Sequence, residues 1–396
     1  MSKNNILRLV KSTFYKERET KRKLVDFIMK AKFLSFGEEC KKFEDKFAKW
    51  QGRKYCIFLN SGSSANLAII QALINLGKLK KGDKVGFSSI TWSTNVMPLI
   101  QLGLSAIPID IELDHLNVSS DKLKEVIKRH KIKALFLTNL LGFCGDIDEI
   151  KKVCEEKGIL FIEDNCESPG TIYKGNKLGN YGLASTISFY VGHHMSTIEG
   201  GAVVTDDIEL ATMLRLVRAH GWDRNLDFAA QNEIRKKFKI NSEFYSRYTF
   251  YDLGFNMRPT EIAGFLGSYQ LNYIDEIITK RKKNFDKIAS VIYKKTKNYF
   301  PIKYDHIDFL SNFAVPVICK SKKIKENLIR SCKDLIEIRP IVGGDMTKQP
   351  FFVKYIKDFP SNYSNAKLVH EQGLYFGNNP ELTKKEIEKI ISVFTK

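Results

Sequence analysis

Residues 133–164, KALFLTNLLGFCGDIDEIKKVCEEKGILFIED, decide the fold class. The opening run, 133–139, and the closing run, 159–164, lack polar alternation, as strands covered on both faces do. Residues 148–157 between them read as a helix. Strand, helix and strand at this spacing make a crossover unit, which places the two strands in a mostly parallel sheet.

The same texture extends outward in both directions. Further strands are expected at 56–60, 84–88, 106–111, 184–190 and 202–205. Helical patterns cover 63–76, 119–130 and 207–219. Residues 1–272 therefore read as an N-terminal segment with a large α/β domain. After Pro259 the texture changes. Residues 260 to about 295 read as one long helix, with Arg281-Lys-Lys-Asn284 as one exposed turn, followed by a strand-like 313–317, a helix near 322–332 and a last helix from Thr383. A smaller α+β domain is expected over 273–396, with the boundary near Asn272–Ile274.

Composition narrows the function. The 396 residues are 43% hydrophobic, enough for a substantial core. No apolar run approaches the length of a membrane-spanning helix. Residues 1–14 are polar and mixed, without the apolar segment of a signal peptide, so a cytoplasmic protein with no membrane partner is expected. The seven cysteines include no C-x-C or C-x-x-C pair, which leaves a disulfide framework, a local zinc site and a local iron–sulfur motif unsupported. The net charge of +19 suggests nucleic acid. The basic residues are nevertheless dispersed and mixed with acids, and no nucleic-acid motif is visible. Solvated helix faces, with some attraction for an anionic substrate, account for them.

Three segments carry polar groups at expected strand ends, where open α/β sheets collect ligands. Asn60-Ser-Gly-Ser-Ser64 joins a strand to a helix. It reads either as a phosphate-binding helix start or as ordinary capping. Phe161-Ile-Glu-Asp-Asn-Cys-Glu167 ends a strand at Asp164. That carboxylate can cap the next turn, or pair with the ring nitrogen of a pyridoxal-type cofactor. Ser188-Phe-Tyr-Val-Gly-His193-His194-Met-Ser-Thr-Ile-Glu199-Gly-Gly201 carries two histidines in a turn. Adjacent histidines rarely share a metal and no third ligand is near, so no metal is expected. A structural role and general acid–base work remain open for them.

In this order and spacing the segments resemble the fold-type-I sugar aminotransferases dependent on pyridoxal phosphate (PLP), which act on nucleotide-linked keto sugars. The resemblance also takes in Phe36-Gly-Glu38, Phe43-Glu44 and Gly254-Phe-Asn-Met-Arg-Pro-Thr-Glu261, and covers nearly the whole chain. One departure stands out. Where those enzymes carry the Schiff-base lysine after a Ser-Phe-x-x-x segment, this chain has His193, and it has no lysine between Lys177 and Lys236. His193, the His-His pair and Glu167 instead resemble the sugar 3-dehydratases. One branch of these uses CDP sugars, an iron–sulfur cluster with a C-x-C pair, and a reductase. The other uses GDP-4-keto-6-deoxymannose and glutamate, without a cluster, on the route to colitose. The absence of C-x-C fits the second branch, with no iron–sulfur cluster.

The resemblance implies 3-deoxygenation of a GDP-linked 4-keto-6-deoxy hexose or heptose by pyridoxamine phosphate (PMP), which L-glutamate regenerates. The product is a 3,6-dideoxy-4-keto sugar for surface polysaccharide. His193 is the implied base and Asp164 the partner of the cofactor ring nitrogen. Trp92 stacks on the ring and Glu167 lies near its other face. Gly62, Ser63 and Ser188 hold the phosphate. Asn256 reaches the cofactor phosphate of a neighbouring subunit, which implies a homodimer. His194 is assigned to the turn or to a substrate contact. Arg224 and Arg339 are candidates for gripping glutamate's carboxylate or the diphosphate. Two other readings are a 4-aminotransferase with an atypical base and a cofactor-binding regulator without turnover.

Overall fold

The apolar runs become buried strands in the computed structural model, which describes residues 6–357 and 363–395; the first five residues of the polar N-terminal segment lie outside them. In chain order the first strands are β1 (Tyr55–Leu59), β2 (Lys84–Ser88), β3 (Ser105–Ile109), β4 (Ala134–Thr138) and β5 (Leu160–Asp164). A short hairpin, β6 (Ile172–Tyr173) and β7 (Asn176–Lys177), precedes β8 (Ala184–Ser188) and β9 (Gly201–Thr205). Seven of these form one sheet in the order β1-β9-β8-β5-β4-β2-β3. β8, β5, β4, β2 and β3 pair in parallel, and only β9 runs against its neighbours.

β4 shows why the sheet needs two covers. Every one of its residues is buried. Leu135 and Leu137 face a cluster with Ile150, Phe285 and Phe376. Ala134 and Phe136 face another with Ile69, Leu73 and Leu214, from the helices Gly62–Asn75 and Ile208–Arg218. Burying a side chain such as Phe136 fully is worth roughly 2 kcal/mol.

The C-terminal part departs from expectation at the long helix, which is two helices, Glu261–Leu271 and Ile274–Lys295. At the junction the backbone bonds shorten to Asn272 N–H to the Tyr269 carbonyl and Tyr273 N–H to the Gln270 carbonyl. Gln270 ends the first helix facing inward, accepting from the Tyr15 amide at 3.0 Å and donating to the Thr20 hydroxyl at 2.9 Å. Neither glycine nor proline marks this break. Beyond it β10 (Ala314–Ile318), β11 (Ile338–Arg339) and β12 (Gly373–Gly377) form an antiparallel sheet in the order β10-β12-β11. Leu7 pairs in parallel with Ile336 beside it. Among the described residues no helix is long and apolar enough to cross a membrane.

The junction of β1, β8 and β9 positions the site. Gly201 pairs with Leu59 on one side and Ser188 on the other. A Cβ on Gly201 would lie 2.3 Å from the Ser61 carbonyl carbon and 2.4 Å from the Gly62 nitrogen. Only glycine lets the chain leaving β1 cross here and start the helix Gly62–Asn75, capped by Ser61 through the Ser64 amide at 3.0 Å. Gly201→Ala should therefore cost about 3 kcal/mol or more of unfolding free energy, because the colliding atoms are backbone. Urea titration of the purified variant checks this.

Candidate active site

β5 carries two carboxylates with different tasks. Glu163 is fully buried and accepts from the amides of Gly179, Tyr181 and Gly182, each at 2.8 Å, so it fixes the loop into β8. Asp164 faces the rim and accepts from Asn66 Nδ2 at 3.0 Å, Asn95 Nδ2 at 2.7 Å and the Cys166 amide at 2.9 Å. A hydroxyl chain orients Asn95: Thr138 donates to Thr91 at 2.6 Å, and Thr91 donates to Asn95 Oδ1 at 2.9 Å. All three donors to Asp164 are neutral, so this buried carboxylate receives hydrogen bonds but, among the described residues, no ion pair. The N–H of a cationic heteroaromatic ring would complete it.

Next to Asp164 the helix Gly62–Asn75 presents its N-terminus, with amides that lack intrahelical acceptors. A Cβ at Gly62 would lie 2.8 Å from Ser188 Cβ, so the helix start touches the end of β8. Amides and a hydroxyl thus converge in a cradle suited to a phosphate. A cavity of about 330 Å³ joins the cradle to Asp164. Trp92 stands at this cavity 53% exposed, so it is no core aromatic. The described residues lining the cavity include no lysine.

The turn between β8 and β9 supplies the imidazole. His193 Nδ1 lies 2.7 Å from the Cys166 carbonyl oxygen. A carbonyl only accepts, so Nδ1 carries the proton and Nε2 keeps its lone pair. Burial holds this imidazole below its usual pKa, against the opposing pull of the Cys166 carbonyl and Asp164. The Phe313 ring packs on it at 5.1 Å. Glu167 is buried beside it, accepts from the Leu141 amide at 2.8 Å, and is pushed by burial up to about 8. One carboxyl of this pair is therefore neutral at pH 7.

Of the residues expected from sequence, Gly62, Ser63, Trp92, Asp164, Glu167, Ser188, His193 and Arg339 line the one cavity. Arg339 is held there by Glu337 Oε1 at 2.7 and 2.9 Å. His194 is not brought in. It is buried behind the turn, against a cavity of about 30 Å³ shared with Arg281. Arg224 and Asn256 also lie away from the cavity. Arg224 packs between Trp222 and Tyr248, with its guanidinium carbon 4.1 and 4.7 Å from their ring centres. Asn256 accepts from Arg258 Nε at 3.0 Å in an exposed loop. Sequence reasoning missed Asn95 and gave no role to Asn66, although Asn66 stands in the first turn of a helix whose start had been singled out. Tyr375 and Phe313, which line the cavity from the C-terminal part, were also missed. Among the described residues no group of three His, Cys, Asp or Glu side chains could hold a metal ion.

Comparison with known proteins places this geometry. The DegT/DnrJ/EryC1/StrS aminotransferase family matches residues 15–395. A GDP-4-keto-6-deoxy-D-mannose 3-dehydratase of Escherichia coli O55:H7 is 35% identical over 364 residues, covering 90% of this chain and 92% of its own. A crystal structure of GDP-4-keto-6-deoxymannose-3-dehydratase with a trapped PLP-glutamate geminal diamine superposes with a TM-score of 0.89 at 32% identity, covering 98% of this chain and all of that one. A histidine-to-asparagine mutant of such an enzyme with bound GDP-perosamine gives 0.87 at 33% identity, with the same coverage.

The buried carboxyl makes stability depend on pH. The pKa of Glu167 rises from 4.5 to about 8 on folding, so its contribution is present below the lower value and is lost as pH climbs through the upper one. Cofactor-free wild-type protein should lose more of its urea midpoint between pH 5 and 8 than Glu167→Gln does. Parallel slopes would remove the neutral carboxyl.

Proposed function

The chain belongs to the DegT/DnrJ/EryC1/StrS aminotransferase family, and within it we propose that the protein removes the 3-hydroxyl from a GDP-linked 4-keto-6-deoxy sugar, using PMP that L-glutamate regenerates. The observation that carries this reading is His193, with Nε2 unprotonated, in a cavity without lysine. A lysine would tether the coenzyme aldehyde and finish an amino transfer. An imidazole does neither, which disfavours the aminotransferase reading. The provision of an acceptor, a phosphate cradle and a base in one cavity disfavours a regulator without turnover.

PMP, when bound, supplies an amine for the sugar ketone and a ring that accepts electrons as the 3-hydroxyl leaves. The amides of Gly62 and Ser63 and the Ser188 hydroxyl would hold its phosphate, and Asp164 its ring nitrogen. Trp92 and Glu167 would bound the ring. His193 Nε2 takes the proton at the reacting carbon and returns it to the departing hydroxyl oxygen, two jobs that suit a base near neutral pKa. Arg339 would grip glutamate's carboxylate or the diphosphate. Glutamate as donor is supported by the PLP-glutamate adduct of the superposed dehydratase, and a GDP sugar by the GDP-perosamine complex. We place the enzyme in the cytoplasm as a homodimer, in which Asn256 of the partner subunit reaches the cofactor phosphate. The product would serve colitose-type surface polysaccharide, in lipopolysaccharide or capsule.

The protein is expected to convert GDP-4-keto-6-deoxymannose, with PLP and glutamate, into a sugar lighter by one oxygen. Ammonia and 2-oxoglutarate should appear in equal amounts. An amino sugar in the mass spectrum would refute the reading. His193→Lys should gain the absorbance of a covalently held coenzyme and lose dehydration by roughly a hundredfold or more; undiminished dehydration would take His193 out of its role. The acid limb of kcat/KM should fall below the ordinary imidazole value of about 6.5, because burial favours the neutral ring.

A further inference from the structure

Behind the catalytic turn lies a charge that the proposed chemistry does not use. Arg281, on the helix Ile274–Lys295, is 5% exposed. Among the described residues it has no carboxylate partner at ion-pair distance; it donates to three backbone carbonyls instead. Nη2 reaches the His193 oxygen at 3.0 Å. Nη1 reaches the Phe313 oxygen at 3.3 Å and the Asn378 oxygen at 2.5 Å. Burial lowers its pKa to about 9, still charged at neutral pH.

Burying a guanidinium against carbonyls alone costs several kcal/mol. A core that needed only packing would be better served by methionine or leucine. What the guanidinium adds is geometry: planar donors in a fixed fork, which hold separate chain segments at set distances. The three segments here are the turn after β8, the residue before β10 and the residue after β12. Two of them carry His193 and Phe313, whose rings pack tilted at 5.1 Å, so one guanidinium holds both partners by their backbones. Asn378 tightens the knot, donating to the Arg281 carbonyl at 2.9 Å and to Asn312 Oδ1 at 2.9 Å.

We propose that Arg281 is a positioning residue for the dehydration, which by fixing the His193 carbonyl and the Phe313 backbone together holds the imidazole with Nδ1 on Cys166 and Nε2 toward the reacting carbon. The inference rests on the proposed role of His193. Other charged or titratable groups near that ring include Asp164, Glu167, Tyr190, His194, Glu199, Arg339 and Tyr375, with Glu381 on the small cavity behind it. None of these bonds the His193 carbonyl.

The test separates positioning from both folding and the functional reading. Wild-type turnover of the GDP sugar is measured first; no turnover sinks the functional reading and leaves the nitrogen-15 spectrum as the test of the clamp. Arg281→Lys keeps the charge and loses the fork. Its kcat should fall roughly tenfold or more, with KM for the sugar nucleotide within about twofold of wild type. In nitrogen-15 histidine spectra of the holoenzyme, the His193 signal, identified by its absence in His193→Asn, should change from one Nδ1–H tautomer to an average of two. Arg281→Ala leaves a hole of guanidinium size and should regain part of its kcat when free guanidinium ion is added. The assignment is overturned if Arg281→Lys loses only thermal stability, with kcat and the His193 signal unchanged, or if a folded Arg281→Ala runs at full rate without the ion.

Discussion

The hydrogen bond between His193 Nδ1 and the Cys166 carbonyl, 2.7 Å long, is the contact on which the rest of the site depends. It joins the turn after β5 to the turn after β8, and these strands are parallel neighbours. Their carboxyl ends meet at one rim because the sheet runs that way. The bond decides the tautomer, and the tautomer decides which nitrogen can take a proton. Asp164 is tied to the same turn through the Cys166 amide. Residue 166 therefore fixes His193 through its carbonyl and Asp164 through its N–H.

The electrostatics around this contact divide two similar acids. Asp164 is surrounded by three neutral donors and Glu167 by one backbone amide. Burial raises the pKa of Glu167 to about 8, with the nearby Asp164 acting in the same sense against the bond from the Leu141 amide, and leaves it protonated near neutrality. On the proposed function a second full charge beside Asp164 would compete for the cofactor's ring nitrogen, so the neutral acid keeps the field simple. Arg281 works in the same sense from behind, since a buried cation disfavours a second one on His193. The imidazole stays neutral, as a base must.

Much of this was legible in the chain. Buried parallel strands announce themselves through apolar runs without alternation, and the ends of β1, β5 and β8 carried the motifs that make the cavity. What escaped notice has physical reasons. Asn95 acts through a contact with a residue 69 positions away, which no local pattern encodes. The run Arg281-Lys-Lys-Asn284 reads as an exposed turn, yet Arg281 and Asn284 are buried, because their side chains bond the carbonyls of residues 88 and 95 positions away. The break at Asn272 has no glycine or proline because it is set by Gln270 holding the N-terminal segment. The helix Phe228–Lys237 buries none of its residues, so it has no apolar stripe to read. Arg224 illustrates a further limit: its segment reads as an anion grip, yet its guanidinium packs on Trp222 and Tyr248 away from the cavity.

The exchange of an amine for an imidazole changes more than one atom. A lysine is long, flexible and able to bond the coenzyme, so it can follow a proton from one carbon to the next. The imidazole of His193 is short, held at Nδ1 by Cys166 and packed by Phe313. It can serve only atoms close to Nε2. On the proposed function that restriction is useful: delivery to the sugar carbon, which would complete an amine, is out of reach, while the departing oxygen is within it. Rigidity behind the ring then matters as much as the ring itself, and the proposed clamp gives a reason for a charge that has no carboxylate partner among the described residues beneath the turn.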